Sequence, residues 1–176
     1  CCWFDPSWAH QPHLSAPPMA VKKQVKFMQE ALKEAKDALR EDEVPIGAVV
    51  VYKNKIVGRA HNQVERLKDP TAHAEMLAIT CATNALNTKW LNGVSLYVTI
   101  EPCSMCAGAL VLARIKDLIY GADDPKAGGC GSVTNIINNK KLNHRIKVQK
   151  GVLEKECGYL LTQFFKGKRQ KNKRLR

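Results

Sequence analysis

His73, Glu75, Cys103 and Cys106 are the residues whose types and spacing could do chemistry. In Pro102-Cys103-Ser104-Met105-Cys106 the two cysteines stand at i and i+3, the spacing that shares one face of a helix. Both sulfurs can then reach one atom, and a helix N-terminus favours their thiolate form. Such a pair suits a soft cation, yet a Cys-x-x-Cys at a helix start describes a dithiol redox centre equally well. His73-Ala74-Glu75 favours the cation. A His and a Glu two positions apart lie on nearly opposite sides of a helix, so they converge only where the helix meets the site end-on, at its first turn. Two helices, each starting at the end of a sheet segment, can thus offer His73, Cys103 and Cys106 to a tetrahedral Zn²⁺ with an open fourth position.

The open position is what separates a catalytic from a structural ion. A structural site would supply a fourth Cys or His at recognisable spacing, and Cys81, Cys130, Cys157 and His61 show no such pairing. Zinc lowers the pKa of a bound water from about 15.7 towards about 7, which creates hydroxide at neutral pH. Glu75 is then the natural proton shuttle.

These residues need elements to position them. Between Val21 and Leu39, apolar side chains at Val25, Met28, Ala31, Leu32, Ala35, Ala38 and Leu39 recur at helical spacing. Pro45 to Tyr52 and Lys55 to Ala60, joined by Lys53-Asn54, predict a hairpin with one buried strand. Pro70 to Leu86 predicts a helix that starts near Thr71, with the Thr71 hydroxyl as its cap. Val94 to Ile100 reads as a strand, and Pro102 sits where a helix first turn tolerates a missing N–H, with Cys103 to Ala113 continuing that helix. A short strand at Asp117 to Gly121, a short helix at Ser132 to Ile137, an extended segment from His144 to Val152 and a final helix from Leu153 to Lys168 complete the pattern. Strands alternating with helices predict an α/β sandwich whose parallel portion is covered on both faces.

The chain has 176 residues, which suits a single domain. No apolar run approaches the ~20 residues that cross a bilayer, so a membrane protein is not expected. Lys and Arg outnumber Asp and Glu by 28 to 16, a formal charge of +12 that makes nucleic acid the leading partner class. Residues 166–176 alone hold seven basic and no acidic side chains. Seven cysteines in a chain of this size argue against a disulfide framework and for a reducing compartment, and no secretory signal is apparent, so a cytoplasmic protein is expected. Residues 1–18 lack periodicity and precede Met19, a plausible natural start; they read as a foreign remnant, upstream translation or a disordered extension. Residues 19–168 then form the catalytic domain and 169–176 a basic C-terminal tail.

His73-Ala-Glu75 followed by Pro102-Cys103-x-x-Cys106 is the general pattern of zinc nucleobase deaminases. The likeness runs further. Glu43-Val-Pro-Ile-Gly-Ala-Val-Val-Val, Asp69-Pro-Thr-Ala-His-Ala-Glu-Met, Leu96-Tyr-Val-Thr-Ile-Glu-Pro-Cys-Ser-Met-Cys-Ala-Gly-Ala and Asn143-His-Arg resemble the bacterial tRNA-specific adenosine deaminases, from about Val25 to Phe165. The resemblance implies the cytidine-deaminase-like fold, a three-layer α/β/α sandwich with a central mixed sheet, and a homodimer. It implies hydrolytic conversion of adenosine to inosine at the wobble position of a transfer RNA anticodon stem-loop. In that scheme zinc-bound hydroxide attacks C6 of adenine while Glu75 takes the water proton, protonates N1 and assists departure of ammonia. The family likewise lends substrate contacts to Asn62, the Ala74 amide, Asp124 and Lys126. Phe165, Lys168 and Arg169 combine an aromatic wall with phosphate-binding charge. The local departure is Cys130, where relatives often carry a small residue.

Each assignment has a plainer reading. Asn62 could close the hairpin, Asp123-Asp124-Pro125 could be a turn, and the basic tail could be a solvated end, although RNA contact is favoured. His61 and His144 read as structural or surface residues, Cys81 and Cys157 as small packed hydrophobes, and at least one of Phe164 and Phe165 as core. The closest rival function is a zinc deaminase of a free base or nucleoside, guanine or cytosine, which would need no basic tail. A non-catalytic RNA-binding subunit would have no use for Glu75.

Overall fold

The computed structural model describes residues 19–174, so the reading of residues 1–18 and the end of the basic tail at Arg176 lie outside the described residues. Helix α1 (Met19–Arg40) leads into strands β1 (Gly47–Tyr52) and β2 (Lys55–His61), then the single turn α2 (Val64–Leu67) and helix α3 (Ala74–Leu86). Strand β3 (Ser95–Ile100), helix α4 (Ser104–Leu112), strands β4 (Asp117–Ala122) and β5 (Lys147–Gln149) and helix α5 (Glu154–Arg174) follow. The sheet order is β2-β1-β3-β4-β5. β1 is antiparallel to β2 and to β3, whereas β3, β4 and β5 run parallel, which makes the sheet mixed.

Alternation along the strands divides the core into two layers. Val50, Leu96, Val98, Leu118 and Tyr120 pack with Ala78 and Ala82 of α3 and Leu110 and Val111 of α4. On the opposite face Val49, Tyr97 and Ile119 meet Phe27, Met28 and Ala31 of α1 and Cys157 of α5. Helices thus cover both faces, giving the expected three-layer α/β/α sandwich. β1 is buried almost throughout while β2 is half exposed, as expected for a hairpin with one inner strand. Close approach is needed where α3 crosses β2: a Cβ on Gly58 would lie 2.6 Å from the Ala78 carbonyl oxygen.

The structure departs from the sequence reading in several places. α3 begins at Ala74, not Thr71, because Thr71 donates both its hydroxyl and its main-chain N–H to Asp69 Oδ1, at 2.7 and 2.8 Å, and closes a turn instead of capping the helix. Pro102 precedes the N-cap Cys103, so it lies outside the first turn of α4. Ser132 to Ile137 is not helical; Cys130 pairs with Asn135 in an isolated bridge, and Thr134 and Val133 donate to the Gly128 carbonyl. Of the extended segment from His144 to Val152, only Lys147–Gln149 joins the sheet. The final helix also runs beyond Lys168 to Arg174, so Arg169 belongs to its last turns.

Candidate active site

Strands β2 and β3 end on the same side of the sheet, and the chain chemistry collects there. β3 delivers Glu101-Pro102 and then Cys103, the N-cap of α4, with extended ψ 174°. His73 is the N-cap of α3, with ψ 152°. Each N-cap carbonyl accepts the first helical bond, from Ala107 N–H at 2.8 Å and from Leu77 N–H at 3.1 Å. Both helices therefore aim their positive ends at one point.

At that point His73 Nδ1 lies 3.6 Å from Cys103 Sγ and 3.5 Å from Cys106 Sγ. The three ligand atoms lie within 4.8 Å of one another. Ligands at about 2.0 Å (N) and 2.3 Å (S) from a tetrahedral zinc stand about 3.6 Å apart, a spacing that both His73–sulfur distances match. The Cys103 thiol is pushed down to about 3 by its bonds to Cys106 and then to His73. Cys106, which shares that bond and is buried, is pushed up. The bond to Cys103, opposed by burial and aided by the Glu75 charge, raises His73.

Glu75 follows His73 on the first turn of α3, 3% exposed, and its Oε2 is buried without a hydrogen-bond partner. Burial raises its pKa, and its side chain faces Cys106. An orphaned carboxylate oxygen beside three ligand atoms is the kind of buried polar group that native proteins keep for a bound ion, a water or a reaction. The end-on convergence of His73 and Glu75 follows from their places as N-cap and second residue of one helix.

Ala74 opens α3 and is fully buried, so its N–H is among the first-turn donors without an intrahelical acceptor. Asn62 follows β2, is buried, and donates its Nδ2 to Glu43 Oε2 at 3.0 Å. Asp124, Lys126, Phe165 and Arg169 line a groove of about 430 Å³ whose walls include Ile46 and Ile100. Asp124 Oδ1 folds back onto the amides of Lys126 and Ala127, at 2.9 and 3.2 Å, and so shapes its own turn. Lys168 is not brought to this groove; it pairs with Asp42 at 2.8 Å and lies over the Phe164 ring.

Neither phenylalanine is core: Phe164 is half-buried and Phe165 is 43% exposed, and their rings meet edge-on with centroids 5.4 Å apart. Cys81 is exposed rather than packed, whereas Cys157 is buried. His61 lies between Glu34 and Glu41, and His144 meets the Ile115 carbonyl at 2.6 Å; neither belongs to the metal-ligand trio.

Two buried carboxylates escaped the sequence reading. Glu101 accepts main-chain N–H bonds from Asp124 at 3.0 Å, Cys130 at 2.9 Å and Ser132 at 3.1 Å, and a further bond from the Ser132 hydroxyl. It ties the loop carrying Asp124 and Lys126 to the start of α4. Its signal was a charge placed between a buried strand and a proline. Glu43 opens the Glu43-Val-Pro-Ile-Gly stretch, but no spacing in the sequence ties it to Asn62.

Comparison with known proteins gives this arrangement its class. The model of the MafB19-like deaminase family matches residues 22–169. The chain is 50% identical over 150 residues to the tRNA-specific adenosine deaminase of Bacillus subtilis (strain 168), covering 85% of this chain and 93% of that one. It is 55% identical over 140 residues to the tRNA-specific adenosine deaminase of Aquifex aeolicus (strain VF5), covering 80% and 92%. A solved structure from work on A-to-I editing by tRNA:A34 deaminases at the wobble position of transfer RNA matches with a TM-score of 0.75 and 44% identity, over 77% of this chain and 99% of that one. The chain belongs to the MafB19-like deaminase family and, within it, to the tRNA-specific adenosine deaminases.

Proposed function

We propose that this protein hydrolyses adenosine to inosine at the wobble position of a transfer RNA anticodon, releasing ammonia. The observation that carries the reading is the convergence of His73, Cys103 and Cys106 beside the unpartnered oxygen of Glu75. A structural metal site would have no need of that carboxylate. His73 Nδ1 and the two sulfurs would hold zinc, which when bound supplies Lewis-acid activation of water.

The residues of the chain do the rest. Glu75 takes a proton from the attacking water on its carboxylate, delivers it to N1 of the adenine and carries the next to the departing amine. Burial suits it to this task, since a raised pKa brings a carboxyl closer to the groups it exchanges protons with. Asn62 and the Ala74 N–H orient the base. Asp124 and Lys126 contact the neighbouring nucleotides, while Phe165 and Arg169 continue that surface along α5, with Lys168 adding charge beside it. An anticodon loop presents unpaired bases, which lowers the unstacking cost of bringing one into the pocket. The active form is a homodimer in the reducing cytoplasm, residues 19–168 are its catalytic domain and the basic residues beyond them grip phosphate.

The test is to offer the zinc-loaded protein an anticodon stem-loop RNA with adenosine at the wobble position and, separately, free adenosine, guanine and cytosine. Inosine in the stem-loop and no turnover of the free compounds is expected. Turnover of a free base or nucleoside alone would replace this reading with a nucleoside or base deaminase.

A further inference from the structure

Glu43, in the turn between α1 and β1, is 0% exposed, although no cation lies within ion-pair distance of it among the described residues. The nearby Arg66 side chain pairs with Glu41 instead. A carboxylate buried without a counter-charge is expensive unless its oxygens are hydrogen-bonded. Both are: Oε1 accepts the Arg66 main-chain N–H at 2.7 Å, and Oε2 accepts Asn62 Nδ2 at 3.0 Å.

The chemistry of that second bond is one-sided. A carboxylate offers no donor, so only the NH₂ end of the Asn62 amide can face it. Asn62 is itself buried, and its main-chain N–H is tied to the Ile46 carbonyl at 3.0 Å. Its remaining freedom is therefore a half-turn of the amide, which exchanges an oxygen for an NH₂ towards the pocket. The Glu43 carboxylate forbids that half-turn.

We propose that Glu43 is a positioning residue that sets the polarity Asn62 presents to the substrate base. This rests on the reading of Asn62 as a base contact. The buried charge is kept because a fixed dipole costs no reorientation when the base arrives. The turn it also ties, through Arg66 N–H, would be served equally well by a neutral acceptor.

Glu43→Gln separates the two roles. The glutamine carbonyl oxygen still accepts the Arg66 N–H, but its NH₂ now faces Asn62 and can be met only by Asn62 Oδ1, so the amide inverts. With stem-loop RNA, kcat/KM is expected to fall about tenfold to a hundredfold, the range for a mis-set buried hydrogen bond, with zinc content and melting temperature near the parent values. Glu43→Gln combined with Asn62→Asp restores the bond with donor and acceptor exchanged and again turns an oxygen towards the pocket, so kcat/KM is expected to recover towards the parent value. Unchanged kcat/KM in Glu43→Gln, or a folded, zinc-loaded double variant no more active than Asn62→Ala, would overturn the proposal. Should the single variant prove unstable, the folded double variant decides alone. Parental turnover in Asn62→Ala would instead remove Asn62 from the base site, a failure of the underlying reading that the other variants cannot mimic.

Discussion

A carboxyl group sealed at 3% exposure with one oxygen unpartnered is a cost to the fold, so Glu75 is a residue whose removal should hurt chemistry and spare structure. Glu75→Ala is expected to lower inosine formation by at least about 10²–10⁴-fold, the span of general acid-base catalysis, while zinc content holds and the melting temperature stays level or rises. Turnover within tenfold of the parent would take Glu75 out of the reaction. The cysteines sort by environment in the same way. Burial pushes Cys130 and Cys157 up to about 12, leaving almost no thiolate near pH 8, whereas Cys81 is exposed. Iodoacetamide on the folded protein, followed by peptide mapping, should therefore mark Cys81 and leave Cys130 and Cys157 unmodified until denaturant is added. The sequence could place Cys81 and Cys157 in helices but could not say which side of each helix faces the sheet.

The elements matter here because helix starts hold the ligands. α3 carries His73 and Glu75 on its first turn and lies against β2 at Gly58, where a Cβ would meet the Ala78 carbonyl oxygen at 2.6 Å and the Ala82 nitrogen at 2.9 Å. Backbone atoms cannot rotate out of the way. Gly58→Ala should thus cost about 1–3 kcal/mol, as overpacking does, and shift the melting temperature by about 2–4 °C per kcal/mol. Activity should fall with it, because α3 must move and take His73 along. A fully stable, fully active Gly58→Ala would show that the sheet yields instead. The start of α3 was misplaced by three residues from sequence because Asp69 competes for Thr71: an Asx-type turn and an N-cap use the same residue types, and only the tertiary surroundings decide between them. The Ser132 to Ile137 segment failed as a helix for a related reason, since its amides are spent on Gly128 and Gly129 carbonyls and on Glu101.

For the whole molecule the dominant long-range quantity is charge. α5 is a rod of about 30 Å, at about 1.5 Å per residue, and carries the basic residues from Lys166 to Arg174 on its last turns. Replacing Lys166, Arg169, Lys171 and Lys173 with Ala should weaken stem-loop binding and reduce the slope of log K against log salt by about 0.7 for each phosphate no longer neutralised. Lys168 already has Asp42 as a partner, so its replacement should change the slope less than that of Arg169. A salt dependence untouched by the quadruple replacement would show that α5 does not grip RNA. No helix among the described residues is long and apolar enough to cross a membrane.

Spacing in the chain was enough to announce His73, Glu75, Cys103 and Cys106 as one centre, because helical periodicity and ligand chemistry are local properties. It was also enough to predict alternating strands and helices and hence two covered faces. What it could not contain was the accounting of buried polar groups across the fold. Spacing gave neither Glu43 nor Glu101 a role, yet tertiary structure buried both and pointed one at Asn62 and the other at the loop bearing Asp124. A carboxylate's role depends on which donors surround it, and donors brought in from 19 and 23 residues away are set only when the chain closes on itself.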